Sequence, residues 1–223
     1  MKVIKKVLII ILIILAILLL VIGIAFGILK YKTNKIQDDY SSIYNNDKYK
    51  EPVQVDNVEV FKQDVSCGYA VIEMFSKWNN GNITEQSLYN NYGKVVTSTG
   101  KAFEKEMNKQ FPEYKTTMYK YLNSSDLIDK VYTSLSKGIP VPVEWAAKYE
   151  NEWTLHYSLI TGLDVPNNKV TIANPYGYTE KITIEEFINR TTFESYENMP
   201  LFLKFAFAFG IFEKNTIYIV EKK

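Results

Sequence analysis

The sequence is poor in the residue types that build disulfides, metal sites and anion clamps. Its 223 residues include one cysteine, one histidine and one arginine. A single cysteine forms no intramolecular disulfide, and one cysteine with one histidine cannot assemble a usual zinc site without several carboxylates. A single arginine, Arg190, leaves almost no bidentate clamp for phosphate groups. We therefore expect no metal ion and no organic cofactor.

Positive charge is scarce outside the N-terminus. The first 35 residues hold six of the 26 basic residues and none of the 25 acidic ones, so the remainder carries a formal charge of −5. Nucleic-acid binding depends on clustered basic side chains that neutralise phosphates. The charge distribution therefore argues against a nucleic-acid partner.

Charged and strongly polar residues are absent from residues 7–29, a run of 23 positions. At about 1.5 Å per residue, a helix of this length spans the roughly 30 Å hydrocarbon core of a bilayer. A cleaved secretory signal is the alternative, but its apolar region is usually only about 7–15 residues long. The sequence therefore predicts an uncleaved transmembrane anchor over residues 1–30. Three lysines flank the run on each side, so charge does not set its orientation; we expect the N-terminus inside the cell and the large domain outside.

The remaining sequence divides into a polar segment and one domain. Residues 31–57 have few periodic apolar residues and several loop signals, which predicts a stalk. Residues 58–223 have the size of a single domain. Within that domain helical patterns come first and strand patterns follow, which favours an α+β fold behind one transmembrane helix.

Hydrophobic periodicity and capping residues predict five helices and five strands in this domain. The helices are expected from about 67 to 80, after Thr84, at 102–110, from Ser124 or Ser125 to Gly138, and from Thr183 to about 189. The strands are expected at 114–122, 140–145, 154–163, 169–173 and 216–220. The apolar run 201–212 is too short to span a bilayer, so it predicts a buried or membrane-facing helix, with a re-entrant segment as the alternative.

The only cysteine, Cys67, stands directly before an apolar run with helical spacing at residues 68–78. In the first turn of a helix, unpaired N–H groups and the positive end of the dipole stabilise a thiolate and lower its pKa. This placement predicts a nucleophile. The only histidine, His156, lies far downstream, which is the order expected of a Cys/His acyl-transfer site.

A third and a fourth residue complete the predicted site. His156 lies in the predicted strand 154–163 and Asn174 ends the next one, so a hairpin would let the amide of Asn174 reach the imidazole. We then expect Cys67 as nucleophile, His156 as base and acid, and Asn174 as the group that orients the ring. Gln63 would donate its side-chain N–H to the developing oxyanion, alongside the backbone N–H of Cys67.

Each of these residues also has a purely structural explanation. A free cysteine is most often a small buried hydrophobe, and Asn174 before a proline is a common turn element. His156 fits a hydrogen-bonded core residue, and Gln63 fits a surface position. Taken together, however, their order and their local secondary structure match one mechanism.

Four sequence blocks carry a resemblance to a known family: the Cys67 block with Gln63, and residues 138–143, 156–162 and 170–175. They resemble the C39-like peptidase family, papain-like cysteine peptidases whose better-known relatives remove double-glycine leader peptides from bacteriocins. The resemblance covers about residues 58–220. It implies a papain-like fold, with the cysteine at a helix N-terminus in a helical first half and an antiparallel sheet in the second half. It also carries the triad roles over to Cys67, His156 and Asn174.

The sequence departs from the family pattern at three points. Relatives commonly have Asp where Asn174 stands. Gln63 lies four residues before Cys67, whereas many relatives have a longer spacing. Leader-processing members usually belong to ATP-driven exporters, whereas this chain has one predicted span and no P-loop pattern. The last departure argues against leader processing as the function.

Together with the predicted anchor, the resemblance predicts a bacterial, membrane-anchored cysteine peptidase or amidohydrolase that cleaves a peptide or a related amide outside the cell. Two alternatives stay open. One is a catalytically weak module of the same fold that binds peptides or a partner at the cell surface. The other is acyl transfer to an amine in place of water. The sequence predicts no particular oligomeric state.

Overall fold

A computed structural model of the chain describes residues 2–34, 40–93, 100–193, 200–208 and 210–223. The N-terminal helix, α1, covers Lys2–Asn34 and contains an apolar, exposed stretch at Ile4–Ile28. The 25 residues of this stretch extend over about 37 Å, which is long enough to cross a bilayer. A signal sequence near an N-terminus has the same length and composition, so α1 is a candidate membrane span.

The remainder has the α+β arrangement that the sequence predicts. The further helices are α2 (Cys67–Trp78), α3 (Glu85–Tyr92), α4 (Gly100–Gln110), α5 (Ser124–Ser136), α6 (Ile184–Thr192) and α7 (Leu201–Ala208). The strands are β1 (Val53–Gln54), β2 (Tyr114–Tyr119), β3 (Val141–Tyr149), β4 (Glu152–Asp164), β5 (Lys169–Asn174), β6 (Tyr178–Ile182) and β7 (Thr216–Lys222). Two short 3-10 helices precede β1, at Ser41–Asn45 and Asp47–Tyr49.

The strands form one antiparallel sheet in the order β2-β7-β3-β4-β5-β6, and β1 pairs with the end of β4. Strand β4 is 13 residues long and lies between β3 and β5. In this register Trp145 of β3 stands opposite His156, and Ala173, next to Asn174, stands opposite Leu159. The sheet therefore places His156 and Asn174 on neighbouring strands.

Alternate residues of the strands pack into two large hydrophobic clusters. Trp145 and Ile160 join one cluster with α5 and α6, while Tyr157 and Leu159 join the other with α2, α3 and α4. Each large apolar side chain that becomes fully buried contributes about 1.5–3 kcal/mol to folding. The sheet between these helices is thus the core of the domain, and it holds α2 against β4.

Residues 40–57 pack onto this core, so the predicted stalk over 31–57 is wrong for this stretch. Ile43, Tyr49 and Val55 are buried in the cluster that contains α5, and β1 adds a short strand to the sheet. Isolated apolar residues in a polar sequence produce no periodic signal, which is why the sequence did not reveal the packing. Residues 31–34 belong to α1, and residues 35–39 lie outside the described part of the chain.

Details of other elements also differ from the prediction. The cap of α5 is Asn123, whose Oδ1 accepts a hydrogen bond from the backbone N–H of Asp126 at 2.7 Å; Ser124 and Ser125 are not the cap. The sequence missed β6, which is a short and largely exposed strand. The helix expected within 201–212 is present as α7, and its residue Phe207 is buried against Phe193, with ring centroids 4.0 Å apart.

Candidate active site

Cys67 is the first residue of α2, as the sequence predicts. Ser66 caps this helix, because its Oγ accepts a hydrogen bond from the backbone N–H of Tyr69 at 3.3 Å. The backbone N–H groups of Cys67 itself and of Gly68, in the first turn, lie against the Cys67 thiol. The sulfur also lies against the backbone N–H of Tyr157, the residue that follows His156 in β4.

A buried carboxylate holds the loop that leads into Cys67. The side chain of Glu85, on α3, accepts hydrogen bonds from the backbone N–H groups of Asp64, Val65 and Ser66 at 3.0–3.1 Å. Hydrogen bonds to a charged acceptor are stronger than those between neutral groups. Glu85 therefore fixes the backbone from which Cys67 starts.

The electrostatics of Cys67 differ from the sequence-based expectation. Burial raises the pKa of its thiol to about 11, although the N–H groups of Tyr157, Gly68 and Cys67 itself act to lower it. The carboxyl of Glu144 raises the pKa further. In this conformation the loss of water around the sulfur outweighs the helix N-terminus, so the expected low pKa is absent.

His156 and Asn174 contact each other directly. Nε2 of His156 lies 3.0 Å from Oδ1 of Asn174, and both side chains are buried. An amide oxygen only accepts hydrogen bonds, so the neutral ring carries its proton on Nε2 and presents an unprotonated Nδ1. Burial lowers the pKa of His156 to about 4, while the hydrogen bond to Asn174 opposes this shift.

Aromatic side chains cover the imidazole. The ring of Tyr176 stacks on His156 with centroids 4.1 Å apart and planes 25° apart, and Tyr149 lies next to Tyr176 at 5.2 Å.

Lys62 pairs with Tyr176 as an isolated β-bridge. Gly177, with φ of 95°, turns the chain beside Lys62, where a Cβ atom would lie 3.2 Å from the Lys62 side chain. The strand that carries Asn174 is thereby attached to the segment that carries Gln63.

Gln63 lies next to the end of the strand that carries Asn174. Its backbone N–H donates to the carbonyl oxygen of Pro175 at 2.7 Å, and Pro175 directly follows Asn174. Its side-chain Oε1 is buried and has no hydrogen-bond partner among the described residues. A cavity of about 500 Å³ adjoins it, lined by Lys62, Gln63, Tyr149, Glu150, Asn151, Glu152, Thr154 and Tyr176. Gln63 thus stands between this cavity and the strand that ends at Asn174.

A family model identifies the family of the chain. The model of the Peptidase_C39 like family matches residues 54–200. The chain belongs to this family. No curated protein matches the sequence.

Two solved structures are similar to the chain. One is a double glycine motif protease from an AMS/PCAT transporter in complex with the leader peptide, with 15% identity, a TM-score of 0.48, and coverage of 77% of this chain and 98% of that chain. The other is the peptidase domain of Streptococcus ComA, a bi-functional ABC transporter involved in a quorum sensing pathway. It has 17% identity, a TM-score of 0.49, and coverage of 75% of this chain and 100% of that chain.

Several residues of this C39-like domain that contact the candidate site gave no signal in the sequence. Glu85 holds the Cys67 loop, Glu144 raises the pKa of Cys67, and Glu180 accepts a hydrogen bond from Asn174. Each is an ordinary glutamate in its local sequence, and its role arises from contacts across the fold. No group of three or more His, Cys, Asp or Glu residues within the described ranges is placed to hold a metal ion.

Proposed function

We propose that this C39-like domain is a cysteine peptidase or amidohydrolase, anchored in the membrane by α1, that acts on a peptide or a related amide outside the cell. The thiol of Cys67 attacks the substrate carbonyl carbon while Nδ1 of His156 takes the thiol proton. His156 then gives that proton to the leaving amine as the C–N bond breaks. Water, activated by the same imidazole, hydrolyses the resulting thioester and releases the acid.

The contact between His156 and Asn174 is the observation that carries this proposal. An amide oxygen facing Nε2 favours the ring proton on that nitrogen, which would leave Nδ1 to accept the proton of the Cys67 thiol. Asn174 acts as the orienting group, as in other nucleophile–base–orienter sites. A neutral imidazole serves as a general base without a preformed thiolate, so this role is compatible with the neutral groups described above.

The oxyanion of the tetrahedral intermediate needs hydrogen-bond donors. The backbone N–H of Cys67, in the first turn of α2, is one candidate, and the side-chain amide of Gln63 is the second. Gln63 meets this role when its Nε2 is turned toward the reacting carbonyl. The cavity beside Gln63 offers the substrate an approach lined by Tyr149 and Tyr176.

A second candidate function has its own support. The raised pKa of Cys67 and the lowered pKa of His156 leave both groups neutral near pH 7, and Tyr176 covers one face of the ring. These features favour a module of the same fold that binds a peptide or a protein partner without turnover. Acyl transfer to an amine uses the same residues as hydrolysis and differs only in the group that attacks the thioester.

Alkylation of the full-length protein with iodoacetamide across a pH series separates the two functions. The chain has one cysteine, so the label reports Cys67 alone. If the domain is a peptidase, Cys67 should be alkylated about tenfold faster than free cysteine near neutral pH. His156→Ala should remove that advantage. Lys148→Ala, on the exposed end of β3, is the matched control. A thiol that reacts only as it ionises near pH 11, with or without His156, would support the binding module.

A further inference from the structure

The side-chain amide of Asn174 is fixed at both of its polar atoms. Its Oδ1 accepts hydrogen bonds from Nε2 of His156 and from the backbone N–H of Tyr176, each at 3.0 Å. Its Nδ2 donates to Oε2 of Glu180 at 3.1 Å. Glu180 lies on β6, across the β5–β6 hairpin from Asn174. An amide turned by 180° would lose the hydrogen bonds to Tyr176 and Glu180, and it would keep the one to His156 only if the ring proton moved to Nδ1.

Glu180 is itself held in place by the only arginine of the chain. Oε1 of Glu180 lies 2.5 Å from Nη1 of Arg190. Nη2 of Arg190 pairs with Glu186, which lies one helical turn away. Arg190 is 7% exposed, and its guanidinium lies over the rings of Trp145 and Trp153, at 4.9 and 5.1 Å from their centroids. A planar, permanently charged group packed in this way leaves the carboxylate of Glu180 little freedom.

Donors and acceptors alternate without a break from Arg190 to the imidazole. Arg190 only donates, so Glu180 accepts from it with one oxygen and from Asn174 with the other. Asn174 then presents its oxygen, which only accepts, to Nε2 of His156. The last hydrogen of the series is therefore the ring proton on Nε2.

We propose that Glu180, clamped by Arg190, is a positioning residue that orients the amide of Asn174 and thereby sets the tautomer of His156. The proposal rests on the peptidase function for its catalytic meaning. Because a carboxylate at position 180 can only accept, it requires a hydrogen-bond donor at position 174. The pair Asn174 and Glu180 therefore forms one unit, in which an amide and a carboxylate face each other and neither residue can be exchanged alone.

Two single substitutions break this complementarity, and their combination restores it. In Glu180→Gln, the new amide cannot accept from both Asn174 and Arg190, so one pair of donors is forced together. In Asn174→Asp, two carboxylates face each other. In the double variant, Gln at position 180 accepts from Arg190 with its oxygen and donates to the new aspartate with its nitrogen.

The test uses the full-length protein in detergent micelles, with 15N-labelled histidine and iodoacetamide as the probe of Cys67. Since the chain has one histidine, its two ring nitrogen shifts identify the tautomer without ambiguity. We expect the Nε2–H form in the wild type and loss of its dominance in Glu180→Gln. At neutral pH, Cys67 should be alkylated at least about tenfold more slowly in each single variant than in the wild type. In the double variant the alkylation rate should return to within about threefold of the wild-type rate.

Glu186→Gln is the matched control, because Glu186 pairs with the same guanidinium but is half exposed and has no hydrogen bond to Asn174. It should leave the tautomer and the alkylation rate unchanged. An unaltered tautomer in Glu180→Gln, or a double variant no faster than the slower single variant, would overturn the positioning role. If Cys67 is inert in the wild type while the tautomer still changes in Glu180→Gln, the positioning role stands and the peptidase function falls.

Discussion

Glu144 is a carboxyl group enclosed by aromatic side chains beneath the candidate site. Its Oε1 accepts hydrogen bonds from the hydroxyls of Tyr157, at 3.1 Å, and Tyr218. Phe103 stacks on Tyr157 with centroids 4.8 Å apart. Burial raises the pKa of Glu144 to about 7, although both hydroxyls act to lower it. The buried carboxyl group of Glu144 therefore changes its protonation state in the physiological pH range.

This carboxyl group should make stability depend on pH. The folded-state pKa of Glu144 lies above the ordinary value of 4.5, so its contribution to stability is complete below pH 4.5 and is lost as the pH rises through about 7. The loss amounts to roughly 3 kcal/mol at most. His156 acts in the opposite direction, since its lowered pKa costs stability as the pH falls from 6.5 toward 4.

Glu144→Gln isolates the first of these two effects. The free energy of unfolding of this variant, minus that of the wild type, should increase as the pH rises from 4.5 to above 7. Urea titrations at several pH values measure it. Gln86→Ala, an exposed substitution that removes no titratable group, should give a constant difference. A constant difference for Glu144→Gln as well would show that folding does not raise the pKa of Glu144.

Residue-level prediction succeeded where a residue is unique and failed where its surroundings decide its chemistry. Cys67 and His156 stood out because each is the only one of its type, and the hydrogen bond expected between His156 and Asn174 is present. The pKa of Cys67 depends on how much water the folded chain removes from the sulfur, which no local pattern encodes. Glu180 joins Asn174 only after the β5–β6 hairpin has formed, so no local sequence pattern indicates this contact.

At the scale of elements, the loop before α2 depends on α3. Glu85→Gln keeps the size of the side chain but replaces one oxygen by a donor that faces backbone N–H groups. We expect a loss of about 1–3 kcal/mol in stability and slower alkylation of Cys67. Melting curves and iodoacetamide rates measure the two effects. Gln86→Ala, on the exposed side of the same helix, should change neither rate nor stability by comparable amounts; equal effects of both substitutions would deny Glu85 its special role.

The elements themselves were predictable in proportion to their periodic burial. Helix α5 and strands β3 to β5 combine regular apolar spacing with clear breaks, and the sequence located them closely. The two-residue strand β1 and the exposed strand β6 lack such spacing and were missed. Their positions are set by partners distant in the chain, which no local pattern encodes.

The N-terminal boundary of the domain follows from the packing of residues 40–57. A fragment that begins at residue 58 lacks Ile43, Tyr49 and Val55, which are buried in the core. Its free energy of unfolding should be at least about 4 kcal/mol lower than that of a fragment that begins at residue 40, because each such side chain contributes about 1.5–3 kcal/mol. Urea midpoints of the two fragments give the answer. Equal midpoints would mean that residues 40–57 act as a separate stalk after all.

At the scale of the whole molecule, the proposed role of α1 as an anchor would decide where the domain works. The membrane-anchor proposal predicts that the full-length chain, expressed in a bacterial host, keeps its full mass and resists extraction from membranes at high pH. Protease added to spheroplasts should digest residues 40–223 and leave α1 protected. A shorter, freely soluble chain would instead identify α1 as a cleaved signal. A domain that is protected in intact spheroplasts would reverse the proposed orientation.

The packing of residue 40 onto the domain limits how far the domain moves from α1. Only residues 35–39 separate the end of α1, Asn34, from Tyr40. Even a fully extended chain of this length bridges no more than about 20 Å. With α1 in a bilayer, as proposed, this short connection would keep the domain in a thin layer of solution above the lipid. Its encounters would then be confined to two dimensions, so molecules that share or approach the same membrane would meet it far more often than those diffusing freely in the medium.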